Sequence, residues 1–111
     1  MINDLIKKFT NEIMDKYKNK IHKIILFGSY ARGDYKDNSD VDLLIVWQEN
    51  RNCGAEKIED IAYEYLLEKG VYFSIKVLTI KQYNDLRYKG SPFIKNIEEE
   101  GLFLENDEHY C

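Results

Sequence analysis

A single α/β domain over residues 1–111, built on a small mixed sheet of three core strands with helices packed on it, is the fold the sequence predicts. Three observations lead there. Apolar residues recur at helical spacing in several segments, short runs of β-branched and large apolar residues separate those segments, and Gly, Asn, Asp, Ser or Pro marks most of the breaks. A chain of 111 residues is one domain's worth, with a core thin enough that every helix and sheet face must be used.

Leu5, Ile6, Phe9, Ile13, Met14 and Tyr17 follow a helical repeat, and Asn3 or Asp4 is placed to cap it. The run Ile21-His22-Lys23-Ile24-Ile25-Leu26-Phe27 reads as a buried strand stopped by Gly28. Residues 29–39 are polar and form a loop with room for one helical turn, after which Val41 to Trp47 is a second core strand. A polar loop from Gln48 to Gly54 precedes the next helix, in which Ile58, Ile61, Ala62, Tyr65 and Leu66 form one face and Gly70 follows its end.

Val71 to Thr79 is the third strand. Thr79-Ile80-Lys81-Gln82 has the form of a capping box for a helix reaching Leu86 or Arg87. Ser91-Pro92 starts the last helix, Gly101 ends it, and Leu102-Phe103-Leu104 is a candidate short fourth strand at the edge. If the first two strands are neighbours joined at the Gly28 to Asp40 end they run antiparallel, which makes the sheet mixed.

Composition excludes several classes. With 44% hydrophobic and 32% charged residues the chain is neither disordered nor fibrous. Its longest apolar runs, Ile24 to Phe27 and Leu43 to Trp47, fall far short of the roughly 20 residues that cross a bilayer, so no membrane association is expected. The start Met-Ile-Asn-Asp-Leu-Ile-Lys-Lys has no secretory pattern, and a cytoplasmic location is expected. Cys53 and Cys111 show no metal-ligand spacing and read as unpaired thiols. A net charge of −4 argues against a nucleic-acid partner held by a basic surface, but not against a local site for one nucleotide. Self-association is left open.

Asp40 and Asp42 carry the chemistry. One residue apart at the start of a strand, they project from one face, with Cα atoms roughly 6.6 Å apart, so both carboxylates can reach one cation. Mg²⁺ is the natural candidate for two short hard-oxygen ligands. Surface acids usually need no such explanation, but Asp42 stands among Val41 and Leu43 to Val46, where an uncompensated carboxylate is costly. Gly28 lets a backbone approach a phosphate, Ser29 offers a hydroxyl and an amide, and Arg32 supplies a fork suited to phosphate oxygens. Lys36 reads as a solvated loop charge. Tyr30 and Tyr35 are candidates to stack on a base or to be modified.

The segment Gly28-Ser29-Tyr30-Ala31-Arg32-Gly33 through Ser39-Asp40-Val41-Asp42 resembles the signature of the DNA polymerase β-like nucleotidyltransferases: Gly-Ser, about ten residues, then Asp-x-Asp. The Ala-Arg-Gly, the Ser-Asp before the final Asp, the size and the C-terminal segment Ser91 to Gly101 are similar to the minimal nucleotidyltransferase branch. The resemblance implies the nucleotidyltransferase fold, with Gly28 and Ser29 on the triphosphate of ATP or another nucleoside triphosphate. It also implies Asp40 and Asp42 on one or two Mg²⁺ ions, and attack by a hydroxyl on the α-phosphorus with release of pyrophosphate. Without metal, a carboxylate and a phosphate charge about 4 Å apart repel by about 4 kcal/mol at an effective dielectric of about 20. Many members of that branch are encoded beside a HEPN-domain ribonuclease, and some act as antitoxins by adenylylating a tyrosine in it, so the resemblance implies a HEPN-type partner.

One part of the pattern is missing. Relatives commonly carry a third carboxylate on the later strand, and Val71 to Leu78 has no acid; Ser74 or Lys76, on one face, stands at that position. The chain is then either a transferase to an acceptor that ionises readily, such as a tyrosine, or a nucleotide-binding module that neutralises its partner by complex formation. Transfer to RNA or to a small alcohol is disfavoured by the lack of a basic stripe or acceptor domain. His22 and His109 read as structural or solvent-facing, and Glu98-Glu99-Glu100 as a solvated helix end.

Overall fold

The computed structural model describes residues 2–17, 19–36, 39–48 and 56–104. Cys53, Gly54, His109 and Cys111 lie outside them, as do Asp37 and Asn38 of the connecting loop. The elements run α1 (Ile2–Lys16), β1 (Ile21–Phe27), α2 (Ser29–Arg32), β2 (Val41–Trp47), α3 (Glu56–Lys69), β3 (Phe73–Thr79), α4 (Ile80–Tyr88), α5 (Pro92–Glu100) and β4 (Leu102–Leu104).

The fold is mixed α/β, and its sheet has four strands in the order β3-β2-β1-β4. β1 is antiparallel to both neighbours, while β2 and β3 are parallel, connected by α3. The candidate edge strand is therefore a real member of the sheet, pairing Leu26 with Leu102 and Ile24 with Leu104.

Helices cover both faces of the sheet. On one side Ile6, Phe9 and Ile13 of α1 and Ile58, Ile61 and Tyr65 of α3 meet Val41, Leu43, Ile45 and Trp47 of β2. On the other, Tyr83 of α4 and Ile94 and Ile97 of α5 meet Ile25, Leu44 and Val46. This is why β2 reads as a nearly unbroken apolar run: a strand covered on both faces has no solvent side for alternation to mark. Every residue of β2 is buried except Asp42, which is half-buried.

One tyrosine ties the helices on each side. Tyr65 Oη donates to Glu12 Oε1 at 2.9 Å, joining α3 to α1, and Tyr83 Oη donates to Glu98 Oε2 at 2.8 Å, joining α4 to α5. Burial first, then the Glu98 hydrogen bond and charge, push the Tyr83 phenol from 10.0 up to about 12. A raised folded pKa means the phenol's contribution is fully present below pH 10.0 and is lost as pH rises through about 12. Tyr83→Phe is expected to cost about 1 kcal/mol at neutral pH. It should also flatten the loss of stability across that alkaline window, and urea titrations at several pH values would read both effects.

Three sequence expectations change in detail. The first helix starts at Ile2, so Asn3 and Asp4 sit inside its first turn, where an acid faces the positive end of the helix, and neither caps it. Ser91 precedes Pro92 as expected, but its hydroxyl makes no cap bond; its backbone N–H donates to the Leu86 carbonyl instead. Glu98 is not simply solvated, since it accepts from Tyr83 and pairs with Arg87 at 3.2 Å. The Thr79 capping box forms reciprocally, with Gln82 N–H donating to Thr79 Oγ1 at 3.1 Å and Thr79 N–H to Gln82 Oε1 at 2.9 Å.

Gly101 ends α5 in an extended conformation that any residue can adopt, so its role is spatial. A Cβ there would run into the Ile97 carbonyl oxygen and lie 2.7 Å from Ile25 Cγ2. Gly101→Ala is expected to destabilise the protein by about 1–3 kcal/mol through this overpacking, measurable by thermal melting.

Candidate active site

β1 ends at Phe27 and the chain turns through Gly28, whose φ of 76° and ψ of −154° lie in a region that L-residues avoid. The Gly28 carbonyl accepts from the Ala31 and Arg32 amides, both at 3.1 Å, which winds Ser29–Arg32 into the single helical turn α2. Gly33 closes it in the left-handed conformation, its N–H donating to the Ser29 carbonyl at 2.8 Å. A Cβ on Gly28 would collide with Asp42 Oδ2. Glycine is thus required twice over, by its φ and by the carboxylate lying against its Cα.

Asp42 faces Phe27 across the antiparallel pair and Ser74 across the parallel one. Asp40, exposed, precedes β2 by one residue. Burial, followed by the charge of Asp40, raises the Asp42 pKa above its ordinary 3.8, and Lys76 and Arg32 pull it back down. Two carboxylates, an ammonium and a guanidinium therefore share one electrostatic neighbourhood at the end of the sheet where β1 finishes and β2 starts.

The donor set fits a hard divalent cation. Asp40 and Asp42 supply oxygens, Asp42 is reachable from solvent, and both the burial and the Asp40 charge that raise its pKa are costs a bound cation would offset. Among the described residues no group of three or more His, Cys, Asp and Glu gathers into a cage. Mg²⁺ usually takes one or two carboxylates and completes its shell with water and phosphate oxygens.

Beside Gly28 lies a cavity of about 270 Å³ lined by Phe27, Gly28, Arg32, Phe93, Asn96, Ile97 and Glu100. Arg32 forms part of its wall while bonding Asp34 at 3.2 Å through Nε and approaching Glu100 to 3.9 Å. Ser29 is half-buried at the first position of α2. Tyr30 and Tyr35 stack on each other, centroids 4.3 Å apart and planes 15° from parallel, so each already has a ring against one face. His22 is exposed at the opposite end of β1, with Nδ1 3.2 Å from Gln48 Oε1.

The wall supplied by α5 is the part that sequence reasoning missed. Phe93, Asn96, Ile97 and Glu100 do recur at helical spacing, which marks one face, but nothing local says that this face meets Gly28. Glu100, read as solvated, belongs to this wall. The inter-strand register settles the other open point: Ser74 stands directly opposite Asp42, and Lys76 is one step further along the same face, opposite Leu44.

In sequence and in fold the chain is similar to known proteins. Residues 6–104 match the family described as the nucleotidyltransferase domain. A provisionally named protein adenylyltransferase of Methanocaldococcus jannaschii is 39% identical over 99 residues, which cover 89% of this chain and 93% of that one. In fold, the chain is similar to a crystal structure of a toxin-antitoxin with AMP-PNP, with a TM-score of 0.58 and 17% identity over 92% of this chain and 74% of that one. It is also similar to a provisionally named nucleotidyltransferase from Sulfolobus solfataricus, with a TM-score of 0.55 and 18% identity over 95% and 80% of the two chains.

Proposed function

The chain belongs to the nucleotidyltransferase domain family, and from that premise we propose that it transfers AMP from ATP to a hydroxyl, a tyrosine of a HEPN-type partner, with Mg²⁺ as cofactor. In this reading it is the antitoxin of a pair, a single domain working in the cytoplasm on an acceptor supplied by another chain. The observation that carries the reading is the Asp42 carboxylate against the Cα of Gly28, with Asp40 beside it, where a triphosphate and its counter-ion are needed together. The adenylyltransferase name of its relative and the toxin-antitoxin fold neighbour support the acceptor class.

Each residue then has a task. Gly28 leaves room for the triphosphate, Ser29 offers its hydroxyl, and Arg32 turns its fork from Asp34 and Glu100 to phosphate oxygens. Asp40 and Asp42 would hold Mg²⁺, which would supply positive charge against the phosphates. The acceptor oxygen bonds to the α-phosphorus as the bond to the leaving pyrophosphate breaks, and its proton passes to solvent. No carboxylate base stands opposite Asp42, which favours a phenol, with a pKa near about 10, over an aliphatic alcohol.

Ser74 at that position also favours a second reading, a nucleotide-binding module that neutralises its partner by complex formation alone. Incubation with labelled ATP, Mg²⁺ and a HEPN-type ribonuclease separates the two. Label on a partner tyrosine together with loss of ribonuclease activity is expected. Inhibition without label, unchanged in Asp42→Asn, would establish the binding module, and label on RNA or a small alcohol but on no protein would overturn both.

A further inference from the structure

We propose that Lys76 fills the role of a second divalent ion: the nucleotide site takes one Mg²⁺, on Asp40 and Asp42, and the Lys76 ammonium supplies the other positive charge to the triphosphate. The inference rests on the nucleotide-binding reading above and adds to it the number of ions and a contribution from a third strand.

The position of Lys76 comes from the register. β2 and β3 are parallel with Asp42 opposite Ser74 and Leu44 opposite Lys76, and facing residues of neighbouring strands project to the same side of a sheet. Leu44 packs with Ile94 and Ile97 of α5, so Asp42, Ser74 and Lys76 all lie on the α5 side. Lys76 Nζ is 6.0 Å from the centroid of the Phe93 ring. Phe93 in turn meets Phe27 edge-on, and Phe27 is the cross-strand partner of Asp42. The ammonium thus stands over a ring that lines the cavity beside Gly28, and its charge acts on Asp42. The ion pairs described on this face engage Arg32 and Arg87, not Lys76.

The ion count follows from the charges. Two ions working as a pair sit about 3.5–4 Å apart, and that concentration of positive charge needs more oxygen ligands than two carboxylates provide. Opposite Asp42 the site offers a neutral hydroxyl, and one step on a cation. Compared with an acid at 74 and a neutral residue at 76, Ser74 and Lys76 together alter the local charge by as much as one divalent ion does. Lys76 coordinates nothing; it offers a compact charge on a flexible stem with three donors for phosphate oxygens.

The test uses the full chain, AMP-PNP and Mn²⁺, counting tightly bound Mn²⁺ per bound nucleotide by electron paramagnetic resonance. One ion is expected for the native protein and two for the Ser74→Asp, Lys76→Ser double variant. Lys76→Met, at an exposed position, should weaken AMP-PNP binding about tenfold and AMP binding less than about twofold. Thermal melting checks that each variant folds, and the Lys76→Met comparison stands alone if the double variant does not. Two ions on the native protein, or AMP-PNP affinity unchanged in Lys76→Met, would overturn the inference and leave the nucleotide-binding reading intact. Failure of the native protein to bind AMP-PNP at all would overturn both.

Discussion

Asp42→Asn is expected to lower nucleotidyl transfer by at least about a thousandfold while making the nucleotide-free protein slightly more stable. The loss follows from removing one of the two carboxylates proposed to hold the ion. The gain follows from the raised pKa of Asp42, caused first by burial and then by Asp40. A carboxyl whose folded pKa lies above its unfolded 3.8 binds its proton more readily in the folded state, so its ionised form opposes folding at neutral pH. That opposition is complete above the raised value and vanishes below pH 3.8. Asp42→Asn removes it, by less than about 1 kcal/mol because water screens a half-buried charge. Label incorporation and urea titrations at pH 7 and pH 4 measure the two effects. A variant that is inactive because it is less stable than the native protein would refute the account of this site.

Gly28→Ala is expected to be the most destabilising single-methyl addition at a turn, costing about 2–5 kcal/mol, and to abolish nucleotide binding in whatever fraction still folds. Its backbone conformation is one that alanine avoids, and the added carbon would strike the Asp42 carboxylate. Gly33→Ala is the control. Gly33 also has a positive φ, of 86°, but a Cβ there meets nothing within 4 Å, so only the conformational cost of about 1–2 kcal/mol remains. Thermal melting of both variants decides the matter, and equal losses would mean that the Gly28–Asp42 contact is not what fixes the turn.

What could be read before the structure was what local chemistry encodes. β1 and β2 have the expected limits because continuous apolar runs end at Gly28 and at the polar residues after Trp47. The Thr79–Gln82 box needs only two side chains three residues apart. That the charge of Asp40 acts on Asp42 needs only the single residue between them. What could not be read depends on which distant segments meet. Whether Ser74 or Lys76 faces Asp42 is a matter of register between strands, and the α5 wall beside Gly28 comes from β4 pairing with β1. Glu98 looked solvated because its partner, Tyr83, lies on another helix.

The pairing of β4 with β1 also orders events in time. On the ribosome, Gly28, Asp40 and Asp42 emerge early, when the cavity still lacks Phe93, Asn96, Ile97 and Glu100. Leu26 acquires its partner Leu102 only when almost the whole described chain has been made. A nascent chain therefore carries both carboxylates well before the α5 residues that line the cavity beside Gly28 have been made.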